Sequence, residues 1–286
     1  MNKKAKTIAA VEARWGAGTP EERWAEKVTT VVSFIARLGW ATVELVNFYL
    51  DQSKRDWPTK MVTQGWLISK KAIINDKPAT ILVLTYKAHQ LAKNLHPFIG
   101  RRIEKEVSRQ SGHDFIATWV TLKALKARYG LNKVKERYTI WADRVMRGFF
   151  DNEFARPDIS IYEQDIPKIN IEVERTRKRT DFEKYQFLKK LKNYSEKGIK
   201  TIVVFESREK AVRFAKEIQD AVMGVTPWIY SNAWSKWTLS KEDSEIFNVR
   251  VLILIWDYDK KSITEAFMSE DEDHLIDVNT LTPYRS

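Results

Sequence analysis

From Pro157 to Glu174 the chain reads P-D-I-S-I-Y-E-Q-D-I-P-K-I-N-I-E-V-E, two runs of alternating apolar and polar residues around a polar break. Alternation with a period of two is the mark of a β-strand, whose successive side chains point to opposite faces. The pattern predicts strands over 158–163 and 168–174 with a turn at 164–167. On the second strand Ile171 and Val173 share one face, and Glu172 and Glu174 share the other. Two like charges on one face, near a third acid at Asp158, repel each other unless a cation neutralises them, and a divalent metal does this best. A solvated strand face would show the same alternation, so the surrounding pattern has to decide between the two.

Downstream, Phe182, Tyr185, Leu188, Leu191 and Tyr194 fall at helical spacing from residue 181. An apolar strand is expected over 200–206, then a helix carrying Val212, Phe214, Ala215 and Ile218. The run V-R-V-L-I-L-I-W at 249–256 is apolar enough for a strand buried on both faces. Antiparallel strands followed by a crossover helix and further strands make a mixed α/β sheet in a chain that is α+β overall. The run S-E-D-E-D-H-L-I-D-V at 269–278 reads as an acidic C-terminal tail.

Upstream, residues 1–20 mix basic, small and turn-forming types and read as a flexible basic arm. Trp24, Val28, Val31, Val32, Ile35 and Leu38 then mark a helix closed by Gly39, and a second helix starts near Thr42. A short basic helix follows around Pro58 and ends at Gly65. Two strands joined at 75–78 form a hairpin. Three helices and a hairpin is the order of a winged helix-turn-helix, in which the third helix enters the major groove and the wing touches the flanking backbone. Lys54, Arg55 and Lys60 fall on or beside that third helix, and Lys70, Lys71 and Lys77 decorate the wing. A small helical domain using its wing for protein contacts has the same order.

Helices are expected over 86–95, 114–129 and 133–149, the last with Val134, Tyr138, Trp141, Val145 and Phe149 as its buried stripe. His113, beside Asp114, reads as a capping residue. The expected layout is an arm at 1–20, a winged helix-turn-helix at 21–95, a helical connector at 96–132 and a mixed-sheet domain at 133–286 that includes the acidic tail.

Composition narrows the chemistry. Lys and Arg total 49 against 38 Asp and Glu, a formal charge of +11, which favours a polyanionic partner such as double-stranded DNA. With no cysteine and four scattered His, disulfides and a zinc site are not expected, and any metal would be a hard, oxygen-liganded ion. No apolar run has the length of a membrane span, so the chain is expected in the cytoplasm, without membrane insertion.

The Pro157-Asp158 pair, followed by Glu172 on the next strand, resembles the PD-(D/E)xK nuclease superfamily, the restriction-endonuclease-like fold. Within it, an N-terminal winged helix with G-W-L-I and L-T-Y, then His113-Asp114, then P-D…I-E-V-E-R-T-R-K, is similar to the MobC-type relaxase and replication-relaxation group, over roughly residues 22 to 222. The resemblance implies a hydrolase that nicks DNA at a plasmid or integrative-element transfer origin during mobilization and conjugation. It implies Mg²⁺, with Mn²⁺ substituting, held by Asp158, Glu172 and Glu174. The superfamily pattern sets a lysine two residues after the second acid, where this chain has Glu174. Either the lysine's role passes to Lys178, or the fold is degenerate and binds DNA without cutting it.

Arg175, Arg177, Lys178 and Arg179 follow the acids, where they would position neighbouring phosphates. Glu136 and Asp143 are candidates for an acid from the helix before the first strand. Tyr185 and Lys189, about one turn apart, could face the same cleft, but packing for Tyr185 and a solvated face for Lys189 are the expected roles; Tyr162, Tyr185 and Tyr194 are near enough in sequence to be conceivable nucleophiles, with nothing to identify one over water. Three function classes follow: a nicking endonuclease, a non-enzymatic replication or transfer regulator, and a double-strand endonuclease of restriction or transposon type. A transfer accessory or coupling protein is a further expected partner, and the oligomeric state is left open.

Overall fold

The structure is a computed structural model that describes residues 18–51, 56–96, 99, 111–146, 156–175, 181–223, 229–231, 236–238 and 251–281. The chain divides into two compact units, residues 1–107 and 108–286.

The first unit opens with helix α1 (Pro20–Leu38), whose start is written in its sequence. The Thr19 hydroxyl accepts from the Glu22 N–H at 3.2 Å, and the Glu22 carboxylate accepts from the Thr19 N–H at 2.6 Å, a capping box. Gly39, at φ 82°, ends the helix in a conformation that costs glycine little. Strand β1 (Ala41–Thr42) leads into helix α2 (Val43–Leu50), which Thr42 caps through the Leu45 N–H. Helix α3 (Trp57–Thr63) has Pro58 in its first turn, and the Trp57 indole N–H donates to Asn47 Oδ1 at 2.7 Å. Strands β2 (Leu67–Ile74) and β3 (Lys77–Leu84) form the hairpin, and β1 pairs with the far side of β3. Asn75 and Asp76 both take left-handed φ, 48° and 60°, as a two-residue hairpin turn of the primed type requires.

Val31, Val32, Ile35, Leu38, Val46, Leu50, Met61, Leu67 and Ile81 are buried in this unit, while Lys70, Lys71 and Lys77 stand exposed on the hairpin. Helix α4 (Tyr86–Leu95), capped by Thr85, packs against α1. Lys54 and Arg55 lie outside the described residues, as does the basic arm up to residue 17.

The second unit begins with helix α5 (Ser111–Tyr129), so part of the expected connector belongs to it. Helix α6 (Leu131–Arg137) follows, then strand β4 (Tyr138–Ala142) and the single turn α7 (Asp143–Met146). The helix expected over 133–149 is therefore broken by a strand. Tyr138, Ile140 and Ala142 alternate inward and pair with β5 (Ile159–Glu163) through Ile140 and Ile161. A strand partner supplied by tertiary structure has overridden a pattern that also satisfied helical spacing.

A two-residue turn at Gln164 and Asp165, φ 50° and 63°, joins β5 to β6 (Ile166–Glu174), which starts two residues earlier than expected. Helix α8 (Asp181–Glu196) then crosses to β7 (Lys200–Phe205), which runs parallel to β6. Helix α9 (Arg208–Met223) leads on, through the small pair β8 (Ile229–Ser231) and β9 (Lys236–Thr238), to β10 (Leu252–Asp257), parallel to β7. Strands β11 (Ser262–Met268) and β12 (Asp271–Leu275) finish the sheet in antiparallel fashion, giving the order β12-β11-β10-β7-β6-β5-β4.

The expected acidic tail is thus in large part an edge strand. Charged residues are at home there because one side of an edge strand has no sheet partner, and charge discourages further pairing.

Val203, Phe205, Ile253, Ile255 and Phe267 join Leu188, Leu191 and Tyr194 of α8 and Ala211, Ala215 and Ile218 of α9 in one core. The alternate residues Ile202, Val204 and Leu254 are buried too, so the central strands are covered on both faces. Helix α5 packs against β5, β6 and β11. Among the described residues, no helix is long and apolar enough to cross a membrane.

Leu191 is fully buried where α8 meets the sheet. Leu191→Ala is expected to cost about 2–5 kcal/mol through lost transfer energy and a residual cavity. Urea denaturation of the variant beside the parent protein measures it.

Candidate active site

The register of β5 on β6 pairs Ile159 with Ile171 and Ser160 with Asn170, which sets Asp158, one residue before β5, beside Glu172. A buried bond fixes this register: the Ser160 hydroxyl donates to Asn170 Oδ1 at 2.7 Å. Asn170, Glu172 and Glu174 alternate along β6 on the face that also carries Val203 of β7, the face covered by α8. The two strands expected to converge therefore do, and they carry their acids to one place.

Glu172 is 3 % exposed. The Lys190 ammonium lies 2.7 Å from Oε1 and 2.8 Å from Oε2, and the Tyr194 hydroxyl donates to Oε1 at 3.2 Å. Lys190 and Tyr194 are four residues apart on α8, so one helical face supplies both. Asp158 is held differently. Its Oδ2 accepts from the Val173 N–H at 2.7 Å and lies 3.3 Å from His113 Nε2. The same ring nitrogen is 2.7 Å from the Val173 carbonyl oxygen, so with its proton there His113 ties the first turn of α5 to β6 and to Asp158.

Burial pushes the Asp158 carboxyl up to about 7, against the Lys190 charge and the Val173 N–H, which pull it down; the charges of Glu174 and Asp114 add to the push. Burial likewise raises Glu172 to about 7, opposed by Lys190 and reinforced by the Asp158 charge. The Asp158 side chain keeps 22 % of its surface accessible and that of Glu172 only 4 %, so the desolvation argument is stronger for Glu172. The Tyr194 hydroxyl is raised as well, chiefly by burial and then by the Glu172 charge, which opposes its use as a phenolate nucleophile.

Other expected residues lie in varied places. Glu174 is half-buried at the end of β6, close enough for its charge to act on Asp158. Arg175 pairs with Glu206 at 3.3 Å, and its carbonyl accepts from Lys210 at 3.1 Å. Arg177, Lys178 and Arg179 lie outside the described residues, as does the side chain of Tyr185. Lys189 is exposed and Glu136 is exposed, while Asp143 pairs with Arg156 at 3.0 Å. Burial raises the Tyr162 hydroxyl. In the first unit, the Lys60 ammonium sits 4.1 Å from the centre of the Trp24 ring.

Lys190 and His113 are the site residues that sequence reasoning missed. The signal for Lys190 was its place one helical turn before Tyr194, already assigned to the inward face, although Lys189 likewise stands one helical turn from Tyr185. Nothing local marks His113 as more than a capping residue.

Among the described residues, no set of three or more His, Asp or Glu is disposed to hold a metal ion. Mg²⁺, however, is commonly bound by one or two carboxylates and completed by substrate phosphates and waters. Asp158 and Glu172 supply two carboxylates, raised chiefly by burial, with the Lys190 ammonium already against Glu172. Comparison with known proteins finds no matching family model, no matching curated protein and no matching solved structure.

The pH dependence of stability follows from the raised carboxyls. Between the ordinary Asp value of 3.8 and about 7, the folded chain keeps a proton on Asp158 that the unfolded chain has lost. This group's contribution to stability therefore falls as pH rises through that window and stays low above it. Asp158→Asn, similar in shape and uncharged, should gain stability relative to the parent between pH 5 and pH 8. Urea midpoints at the two pH values measure the difference; a relative loss at pH 8 would refute the raised carboxyl.

Proposed function

We propose that the chain is a metal-dependent DNA endonuclease that binds duplex DNA and nicks it. The observation that carries this reading is the convergence of Asp158 and Glu172 from adjacent strands, with the Lys190 ammonium beside them. Three features support it. A helix, the meander β4-β5-β6, the crossover helix α8 and the parallel strand β7 follow one another in the order of the restriction-endonuclease-like PD-(D/E)xK core. The first unit has three helices and a hairpin with exposed Lys70, Lys71 and Lys77, the order of a winged helix-turn-helix. Lys190 brings to the acid pair the lysine that the superfamily pattern sets where Glu174 stands.

When bound, a divalent ion polarises the phosphate and lowers the pKa of the attacking water. Asp158 and Glu172 would hold that ion. The Val173 N–H and His113 orient the Asp158 carboxylate, and Lys190 adds positive charge where charge grows on the phosphate. Similarity to the MobC-type relaxase group suggests a transfer origin as the DNA, a cytoplasmic setting, and a transfer accessory or coupling protein as a partner.

A second reading has its own support. Both Glu172 oxygens are already engaged by Lys190, which suits a decayed nuclease fold serving a DNA-binding regulator. Supercoiled plasmid incubated with the protein and Mg²⁺ or Mn²⁺ separates the two. Conversion to open circle is expected, and Asp158→Asn or Glu172→Gln should lower it by about a hundredfold or more, the scale of losing one stabilising group in a preorganised site. Duplex binding in a gel-shift assay should persist in both variants. Binding by the parent protein with no nicking would favour the regulator, and a linear product would favour a double-strand endonuclease.

A further inference from the structure

We propose that Lys190 is the resident counter-ion of Glu172 and holds the acid pair closed to a divalent cation until the ammonium is drawn away. The inference rests on the nuclease reading and specifies how that site is controlled. Three observations on the page lead to it. The ammonium spans both oxygens of Glu172, at 2.7 and 2.8 Å, the two atoms an incoming cation would need. Glu172 is buried, and Oε1 also accepts from Tyr194, so the carboxylate cannot simply turn outward to offer a second face. Asp158 is anchored through Oδ2 by the Val173 N–H, with His113 alongside, so the pair cannot open from that side either.

A cation reaching Glu172 therefore meets the Lys190 ammonium on both oxygens and is opposed by its charge, so binding is favoured once the ammonium withdraws. Lys190 has somewhere to go. Its side chain keeps 15 % of its surface accessible, and a long flexible stem lets the ammonium swing while the helix stays fixed. A DNA phosphate at the mouth of the site is the anion suited to receive it. Loading of the ion and arrival of the nucleic acid are coupled by this exchange, since the group that leaves the carboxylate becomes a phosphate contact.

The opposite role for Lys190, as a support that holds Glu172 in a binding-competent position, predicts the opposite sign on metal affinity. Lys190→Met and Lys190→Gln are compared with the parent protein by Mn²⁺ titration without DNA, reading free Mn²⁺ by electron paramagnetic resonance at both pH 8.0 and pH 9.0, because loss of the Lys190 charge raises the Glu172 carboxyl further and the pH series separates proton competition from metal affinity. Both variants should bind Mn²⁺ roughly tenfold more tightly, because a buried carboxylate left without its partner gains most from a new cation. Mn²⁺ should also raise their melting temperatures by more than it raises the parent's.

Equal or weaker binding by folded variants overturns the proposal while leaving the metal site in place. Should Lys190→Met fail to fold, Lys190→Gln, whose amide still donates to Glu172 while lacking the charge, decides alone. If Glu172→Gln added to Lys190→Gln binds Mn²⁺ as well as Lys190→Gln alone does, the nuclease reading itself is at fault, an outcome distinct from the first.

Discussion

Two carboxylates withdrawn from water side by side form the constraint on which the second unit turns. Asp158 and Glu172 come from adjacent strands in a register fixed by Ser160 and Asn170, and neither has enough solvent to hold a full negative charge comfortably. The fold answers with Lys190 and Tyr194 from α8 and with His113 from α5. Helices from two parts of the chain thus meet the sheet through a single charged cluster. An arrangement of this kind is a poor source of stability, because the desolvation of each ion offsets much of the mutual attraction.

The same cluster relates the two functional readings to each other. A nuclease needs a cation and a positive side chain near the phosphate, and a DNA-binding scaffold needs neither. Lys190 lies where it can serve the first, and it also neutralises Glu172 as the second would require. Whether the acids take up a cation is the physical difference between the two readings; movement of the ammonium bears only on how such a site would be loaded. The first unit is common to both readings, since exposed lysines on a two-stranded hairpin would suit a polyanionic partner with or without cleavage.

Legibility in the sequence varied with the range of the interaction. Period-two alternation at Asp158 to Glu174 revealed the strands and the shared face of Glu172 and Glu174, because side-chain direction in a strand is a local property. Gly39 after α1 was local in the same sense, whereas the capping box at Thr19 and Glu22, equally local, fell at the end of the stretch expected to be a flexible arm. Strand β4 was not legible: Val134, Tyr138, Trp141 and Val145 satisfy helical spacing, and only pairing with β5 made 138–142 extended. The acidic run at 269–278 failed for a related reason. An edge strand on a sheet already formed tolerates charges that would argue against a strand elsewhere.

The sequence by itself determined the order of elements around the acids, the basic hairpin of the first unit, and the residue types able to hold a hard cation. Backbone geometry and near-neighbour spacing suffice for these. Only the tertiary structure decided what neutralises the acids. Lys190 lies 18 residues beyond Glu172 along the chain, and His113 lies 60 residues before Val173. Nothing in local spacing ties such partners together; their meeting depends on how α5 and α8 pack against the sheet, and that packing is settled by the whole core at once.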